Sequence, residues 1–339
     1  MTKKAKFLPI FLLSVAAMAT LIGLSARSVS AQSNVAGAVE GLQITPVIVE
    51  QSKVQKGSSY SVPVTLTNVT SQDHTYYAAV NDFTSQDETG SPRILLDSTL
   101  PDAVSIRTWV SVVKQVTIKA NQAIIINVQI NIPTNAESGG HYGTLRFSGV
   151  APTPQSAGIG LSASTGMLFL ISVDGNITEK ASVASFTTAT TDDKATGFFE
   201  KAPLNLVVRI KNEGNVHVKP FGQILVHDMF GGLVATLPVN DQKSNVLPSS
   251  IRRFDITLNN SWMFGHYTAD LALGYGTSGQ AMTATTDFWI IPYKLVLVVL
   301  LALATITFIL VRMVRVYNKR IITKAIQKHD QKTSSNTKK

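Results

Sequence analysis

The chain has 339 residues, 45% of them hydrophobic, a formal net charge of +9 and no cysteine, which excludes a disulfide-held scaffold and requires cores of ordinary domain size. The positive excess sits at the two ends: four basic residues precede position 32, and nine Lys or Arg against one acid, Asp330, follow Val311. The rest carries 17 basic and 20 acidic residues, so the bulk of the chain lacks the electrostatic footprint of a nucleic-acid binder.

In chain order, Lys3, Lys4 and Lys6 precede the apolar run Phe7 to Leu24, and Val29-Ser30-Ala31 supplies small residues for cleavage. This pattern predicts a signal peptide over residues 1–31, either removed or kept as a first anchor. A first module is expected over 41–175. Val62, Val64 and Leu66 alternate with Pro63, Thr65 and Thr67, and Ile124, Ile126, Val128, Ile130 and Ile132 alternate with mostly polar neighbours. Period two marks strands with one buried face. The Pro-, Gly- and Ser-rich stretch Ala151 to Gly166 reads as a long hairpin loop or a flexible flap.

A second module is expected over 176–288, from the alternation at Leu204, Leu206, Val208 and Ile210 and at Phe254, Ile256 and Leu258. A weak internal repeat relates the two. Val64 to Asn68 matches Val208 to Asn212, and Gly140-His141-Tyr142 matches Gly265-His266-Tyr267. Strands separated by Gly, Pro, Asn and Asp clusters predict an all-β fold of two tandem immunoglobulin-like sandwiches, with the repeated tyrosine fastening a corner to nearby backbone.

From Ile290 to Val311 the chain is apolar apart from Lys294, long enough for a transmembrane helix over 290–311. Trp289, Tyr293 and Lys294 suit the outer interface, while Arg312 and Arg315 open a basic tail, 312–339, that the positive-inside rule places in the cytoplasm. The expectation is one membrane span with the bulk of the chain outside the cell.

The search for chemistry nominates no catalytic, metal-binding or cofactor-binding residue. The histidines at 74, 141, 217, 227, 266 and 329 form no H-x-x-x-H pair, and no Ser lies in G-x-S-x-G. Gly139-Gly140 and Gly231-Gly232 read as turns, Asp192-Asp193-Lys194 as a solvated hairpin tip, and His217 as part of a turn-rich strand approach. Trp262-Met263-Phe264 is assigned to core packing. Tyr76 and Tyr77 point to opposite faces of an extended strand, so one of the two is exposed and the pair is the candidate binding surface.

The chain resembles the bacterial WxL-interacting cell-surface proteins, through the strand Tyr60 to Asn68 after Lys56-Gly57, the run Val116 to Pro133, and Ser138 to Phe147. The stretches Asn212 to Pro220 and Val246 to Phe254 are similar in kind. The resemblance implies a non-enzymatic surface protein that engages cell-wall peptidoglycan, surface proteins or both. It carries over no individual site residue. The alternative is an envelope assembly or secretion component that docks through its membrane helix.

Overall fold

Alternating apolar side chains commit one face of each strand to a core, and the first half of the chain builds two sheets around such faces. The computed structural model describes residues 41–96, 100–149, 164–260 and 262–336. The expected signal segment and most of the Ala151 to Gly166 stretch lie outside them. The first half contains β1 (Leu42–Thr45), β2 (Ile48–Val54), β3 (Ser59–Asn68), β4 (His74–Ser85), β5 (Pro92–Leu95), β6 (Val110–Ser111), β7 (Gln115–Ile118), β8 (Ala123–Asn131), β9 (Gly139–Ser148) and β10 (Ser164–Val173). One sheet runs β1-β3-β8-β6 and the other β2-β10-β9-β4-β5, with β7 also paired to β4.

The second half repeats the plan with β11 (Ala181–Ala189), β12 (Phe198–Phe199), β13 (Leu204–Asn212), β14 (Phe221–Asp228), β15 (Leu233–Val239), β16 (Ile251–Leu258), β17 (Gly265–Tyr275) and β18 (Gln280–Ile290). Its sheets run β11-β13-β16 and β12-β18-β17-β14-β15. Each half pairs its last strand in parallel with a short early one, β10 with β2 and β18 with β12. The chain is two immunoglobulin-like β-sandwiches in tandem.

Each sandwich has its own core. Val64, Leu66, Val128, Ile130, Leu145 and Phe169 are fully buried in the first, and Leu204, Leu206, Val208, Ile210, Ile224 and Val226 in the second. Burying each such side chain contributes about 1.5–3 kcal/mol. The alternation is sharp on β8, where Val128 and Ile130 are buried while Ile125 is 70% exposed.

The repeated asparagine is a buried staple in both copies. Asn68 Nδ2 donates to the carbonyls of Gln72 (2.7 Å) and Ile118 (3.0 Å), and its Oδ1 accepts from the Thr70 N–H (3.0 Å). Asn212 Nδ2 donates to the carbonyls of Val216 (2.7 Å) and Val246 (2.8 Å), and its Oδ1 accepts from the Gly214 N–H (2.9 Å). An amide fits because in each copy two carbonyls and one N–H converge on one point.

The C-terminal helix α1 (Tyr293–Asn336) starts after only two residues, Ile291 and Pro292, beyond the end of β18. Its segment Tyr293–Thr323 is long and apolar enough to cross a membrane. Ile290, the first residue of the expected span, belongs to β18 instead, because it pairs with Gly265 and is fully buried.

Replacing Asn212 with Ala leaves the buried Val216 carbonyl and the Gly214 N–H without this partner, while the Val246 carbonyl keeps the Val218 N–H (3.1 Å). The expected loss is about 2–3 kcal/mol in urea unfolding, whereas Lys211→Ala on the exposed face changes stability by less than about 0.5 kcal/mol.

Candidate functional site

The two Gly-His-Tyr copies do not superpose, and the mismatch creates the contact between the sandwiches. Gly139 pairs with Val173 at the end of β10, and Gly265 pairs with Ile290 at the end of β18. Both have positive φ, +127° and +109°, so these two glycines are the equivalent positions. The doubled glycine therefore shifts the first copy by one residue, which turns each following side chain to the opposite face. Gly139-Gly140 is the start of β9 and not a turn.

As a result His141, and not Tyr142, occupies the inward position that Tyr267 holds in the second sandwich. Tyr267 Oη accepts from the Phe264 N–H (2.9 Å) and donates to its carbonyl (3.3 Å), the expected corner fastening. His141 does the comparable work with its ring nitrogens, each 2.9 Å from a carbonyl oxygen, those of Val104 and Glu137. The ring packs 4.4 Å from that of Trp109. Tyr142 points outward and reaches the second sandwich.

Three contacts lock the sandwiches together. Asn215 is the first: its carbonyl accepts from the Gly140 N–H (2.7 Å), its Nδ2 donates to the Asn176 carbonyl (2.8 Å), and its Oδ1 accepts from the Thr178 N–H (2.8 Å). A Cβ on Gly139 would stand 2.8 Å from the Asn215 carbonyl oxygen, so only glycine permits this approach. The linker between β10 and β11 is thereby held by a second-sandwich residue.

The second contact is a polar chain. The His217 N–H donates to Tyr142 Oη (2.8 Å), the Tyr142 hydroxyl lies 3.3 Å from His217 Nδ1, and His217 Nε2 lies 3.1 Å from Glu50 Oε1. Lys219 Nζ closes it on the other carboxylate oxygen. The proton arrangement that satisfies every partner puts hydrogen on Nε2, donating to Glu50, and lets Nδ1 accept from Tyr142. The third contact comes from the β4–β5 hairpin, where Glu88 accepts from Arg209 Nε (2.6 Å) through its side chain and from the Arg253 N–H (2.7 Å) through its carbonyl.

Electrostatics follow from this burial. Burial pushes His217 below the usual histidine value, against the pull of Glu50, and only 6% of its side chain is exposed. Burial alone would raise Glu50, but the hydrogen bonds from Lys219 and His217 outweigh it and hold the carboxyl below its usual range. Burial pushes the Tyr142 hydroxyl up.

Two cavities flank this chain. One, of about 330 Å³, is lined by Phe83, Glu137, Ser138, Asn215 and Leu247 among others. The other, of about 460 Å³, gathers Lys219, Lys243 and Arg252 beside Ile48, Leu168 and Leu170. Concave, mixed apolar and polar surfaces of this size are where ligands seat. Among the described residues no three His, Asp or Glu side chains group to hold a metal ion.

The residues singled out from sequence fall elsewhere. Tyr76 is 1% exposed and belongs to the first core, which removes it from any binding surface. Tyr77 faces outward and is half-buried. Of Trp262-Met263-Phe264 only Met263 is buried; Trp262 is 94% and Phe264 62% exposed. Asp192-Asp193-Lys194 is an exposed turn as expected, with Asp193, 61% exposed, also accepting from Arg253 Nη1 (2.9 Å). Trp289, Tyr293 and Lys294 lie where strand passes into helix, with Lys294 Nζ 2.7 Å from Glu200 Oε2, and Arg312 and Arg315 are exposed on α1. Of the bridge residues, Asn215 and Glu50 carry no signal in the sequence, His217 was expected to act locally, and Tyr142 was expected at a corner but bonds His217 instead. The one available signal was the extra glycine at 139–140.

No protein-family model and no curated protein sequence matches the chain. Among solved structures it is similar to the class 5 fimbrial chaperone CfaA, with a TM-score of 0.36 and 13% identity over 72% of this chain and 98% of that one. The chaperone DraB of E. coli gives 0.34 and 10% identity over 73% and 94%. The CupB2 chaperone of Pseudomonas aeruginosa gives 0.31 and 12% over 71% and 97%. Overlap at this level says nothing of what this chain binds.

Protonation tests the bridge. Because the folded pKa of His217 lies below its ordinary value, the unfolded state takes up a proton first, so stability falls as pH drops below about 6.5. Glu50, whose carboxyl is held below its usual range, adds a second loss in the same direction as pH falls below the ordinary carboxylate value. Urea midpoints measured at pH 7.5 and 5.5 are expected to show a drop in the wild type that is smaller in His217→Gln.

Proposed function

We propose that the chain is a membrane-anchored, extracellular binding protein of the bacterial cell envelope that engages cell-wall polymer, surface proteins or both without catalysis. The observation that carries this reading is the continuity of parts: a locked pair of β-sandwiches passes through β18, within two residues, into a single apolar helix. The basic residues that follow the apolar segment support an outside position for the sandwiches. The resemblance to WxL-interacting proteins supports a wall-facing role for the first sandwich.

The concave surface between the sandwiches is the place to map binding first. Its three cations, Lys219, Lys243 and Arg252, suit the carboxylate-bearing polymers of a cell wall, and its apolar walls suit a substituent on such a chain. Lys219 is already committed to Glu50 and Arg252 Nη1 donates to the Asn245 carbonyl (2.7 Å). Lys243, whose ammonium lies 5.3 Å from the Phe221 ring centre, is the residue to change.

The test is co-sedimentation of a soluble fragment, residues 32–291, with purified wall sacculi and with bare beads as control. The fragment must run past Ile290, because Phe288 and Ile290 are core residues. Saturable binding that weakens about tenfold in Lys243→Glu is the expected result, matching about 1.4 kcal/mol for one charge reversed at the site. Absence of saturable binding removes the wall-binding half of the proposal and leaves protein partners.

A further inference from the structure

We infer that the end of the second sandwich from which the membrane helix emerges is a lipid-facing seat, built from side chains far apart in sequence. The inference rests on the reading that Tyr293–Thr323 crosses the bilayer, and extends it from the helix to the folded domain.

Strand register brings the parts together. Phe198 pairs with Trp289 and Phe199 with Ile290, so β12 lies at the last two residues of β18. Gly265 pairs with Ile290, which puts the loop before β17, with Trp262 and Phe264, at the same level. Asp228 pairs with Tyr267, so the β14–β15 turn carrying Phe230, two residues on, reaches that level too. The methyl of Met229 fills the space a Cβ on Gly265 would need, which ties this turn to the start of β17.

The rings of Phe198, Phe230, Trp262, Phe264, Trp289 and Tyr293 are turned to the outside. Phe230 is 89% exposed, Trp262 94%, Phe264 and Phe198 62% each, Tyr293 60% and Trp289 42%. Scattered single apolar residues on a surface need no explanation, but six aromatic rings at one end of one domain do. Local bonds hold them outward. Asp228 Oδ1 accepts from the N–H groups of Phe230 (2.9 Å) and Gly232 (2.8 Å), and Phe198 and Trp289 stack at 6.2 Å.

The occupant follows from position and charge. From Ile290 to Leu295, the first residue of the uncharged run, three extended steps and two helical ones span at most roughly 14 Å. The headgroup layer is itself roughly 5–8 Å deep. A side chain that reaches roughly 6–9 Å past Ile290 therefore enters the interfacial layer, where Trp and Tyr are enriched. Backbone bonds make the tether short in fact as well as in sequence: the Trp289 and Ile291 N–H groups donate to the Gly197 and Phe199 carbonyls, both at 2.8 Å. Among the described residues the acidic groups near this end have partners: Glu200 pairs with Lys294 (2.7 Å), Asp228 bonds its own turn, and Asp287, 59% exposed, accepts from the Thr268 hydroxyl (2.8 Å).

The test uses the full chain in phosphatidylcholine nanodiscs, with and without brominated acyl chains. Three tryptophans are present, and Trp109 is 1% exposed, so a Trp289→Phe background leaves Trp262 as the surface reporter and Trp289→Phe with Trp262→Phe gives the blank. The expected result is that Trp262 emission falls by about half with bromines placed near the headgroups and is protected from aqueous acrylamide. Incorporation into discs with Trp262 unquenched and open to acrylamide overturns the seat while leaving the membrane span standing. Incorporation with Trp262 unquenched yet shielded also overturns it, and assigns the face to a second copy or another protein. Failure of the chain to incorporate overturns the span and the seat together.

Discussion

The bridge from Tyr142 to His217 is the constraint on which the rest of the molecule depends. Two sandwiches joined by a short linker would ordinarily move against each other, because interfaces between domains of one chain are small and polar. Here the linker itself is gripped by Asn215, while Tyr142, His217, Glu50 and Lys219 form one hydrogen-bonded chain across the junction. Each bond contributes about 0.5–1.5 kcal/mol net, and breaking one leaves a buried partner unpaired at about 1–3 kcal/mol. That asymmetry resists opening more strongly than a count of bonds suggests.

The lock has a consequence at a distance. The second sandwich passes into the long apolar helix with almost no slack, through Ile291 and Pro292, and β12 braces the junction from the side. A fixed junction between the sandwiches then extends that fixed attachment to the first one. The first sandwich is held in one orientation relative to the start of the helix, and the cavities at the junction keep one shape. A ligand binding there meets a preorganised surface, which lowers the entropy lost on binding.

Much of the fold was legible because burial with period two leaves a direct trace. Val64 and Leu66, Val128 and Ile130, and Leu206 and Val208 alternate in sequence and line the cores. Asn68 and Asn212 were visible as a repeat, although their role as buried staples needed the turns they close. The misreadings share one physical cause: a face is set by register, and register is not written in the residue itself. The doubled glycine at 139–140 put His141 inside and Tyr142 outside, opposite to the reading from the matching tripeptides. Tyr76 and Tyr77 were known to face opposite ways, yet which one is buried depends on the pairing of β4 with β9. Trp262 and Phe264 looked like core because aromatics usually are, and the chain turns them out beside the helix. His217 was unreadable from sequence since its partner Glu50 lies 167 residues away.

The absence of cysteine makes the locked junction directly measurable. Spin labels on Asn127→Cys in β8 and Thr283→Cys in β18, both exposed positions, report the separation of the two sandwiches by double electron–electron resonance. A single narrow distance distribution in the otherwise wild-type chain, broadened when Tyr142 and Asn215 are both replaced by Ala, is the predicted result. A broad distribution before any bridge residue is changed would contradict the lock.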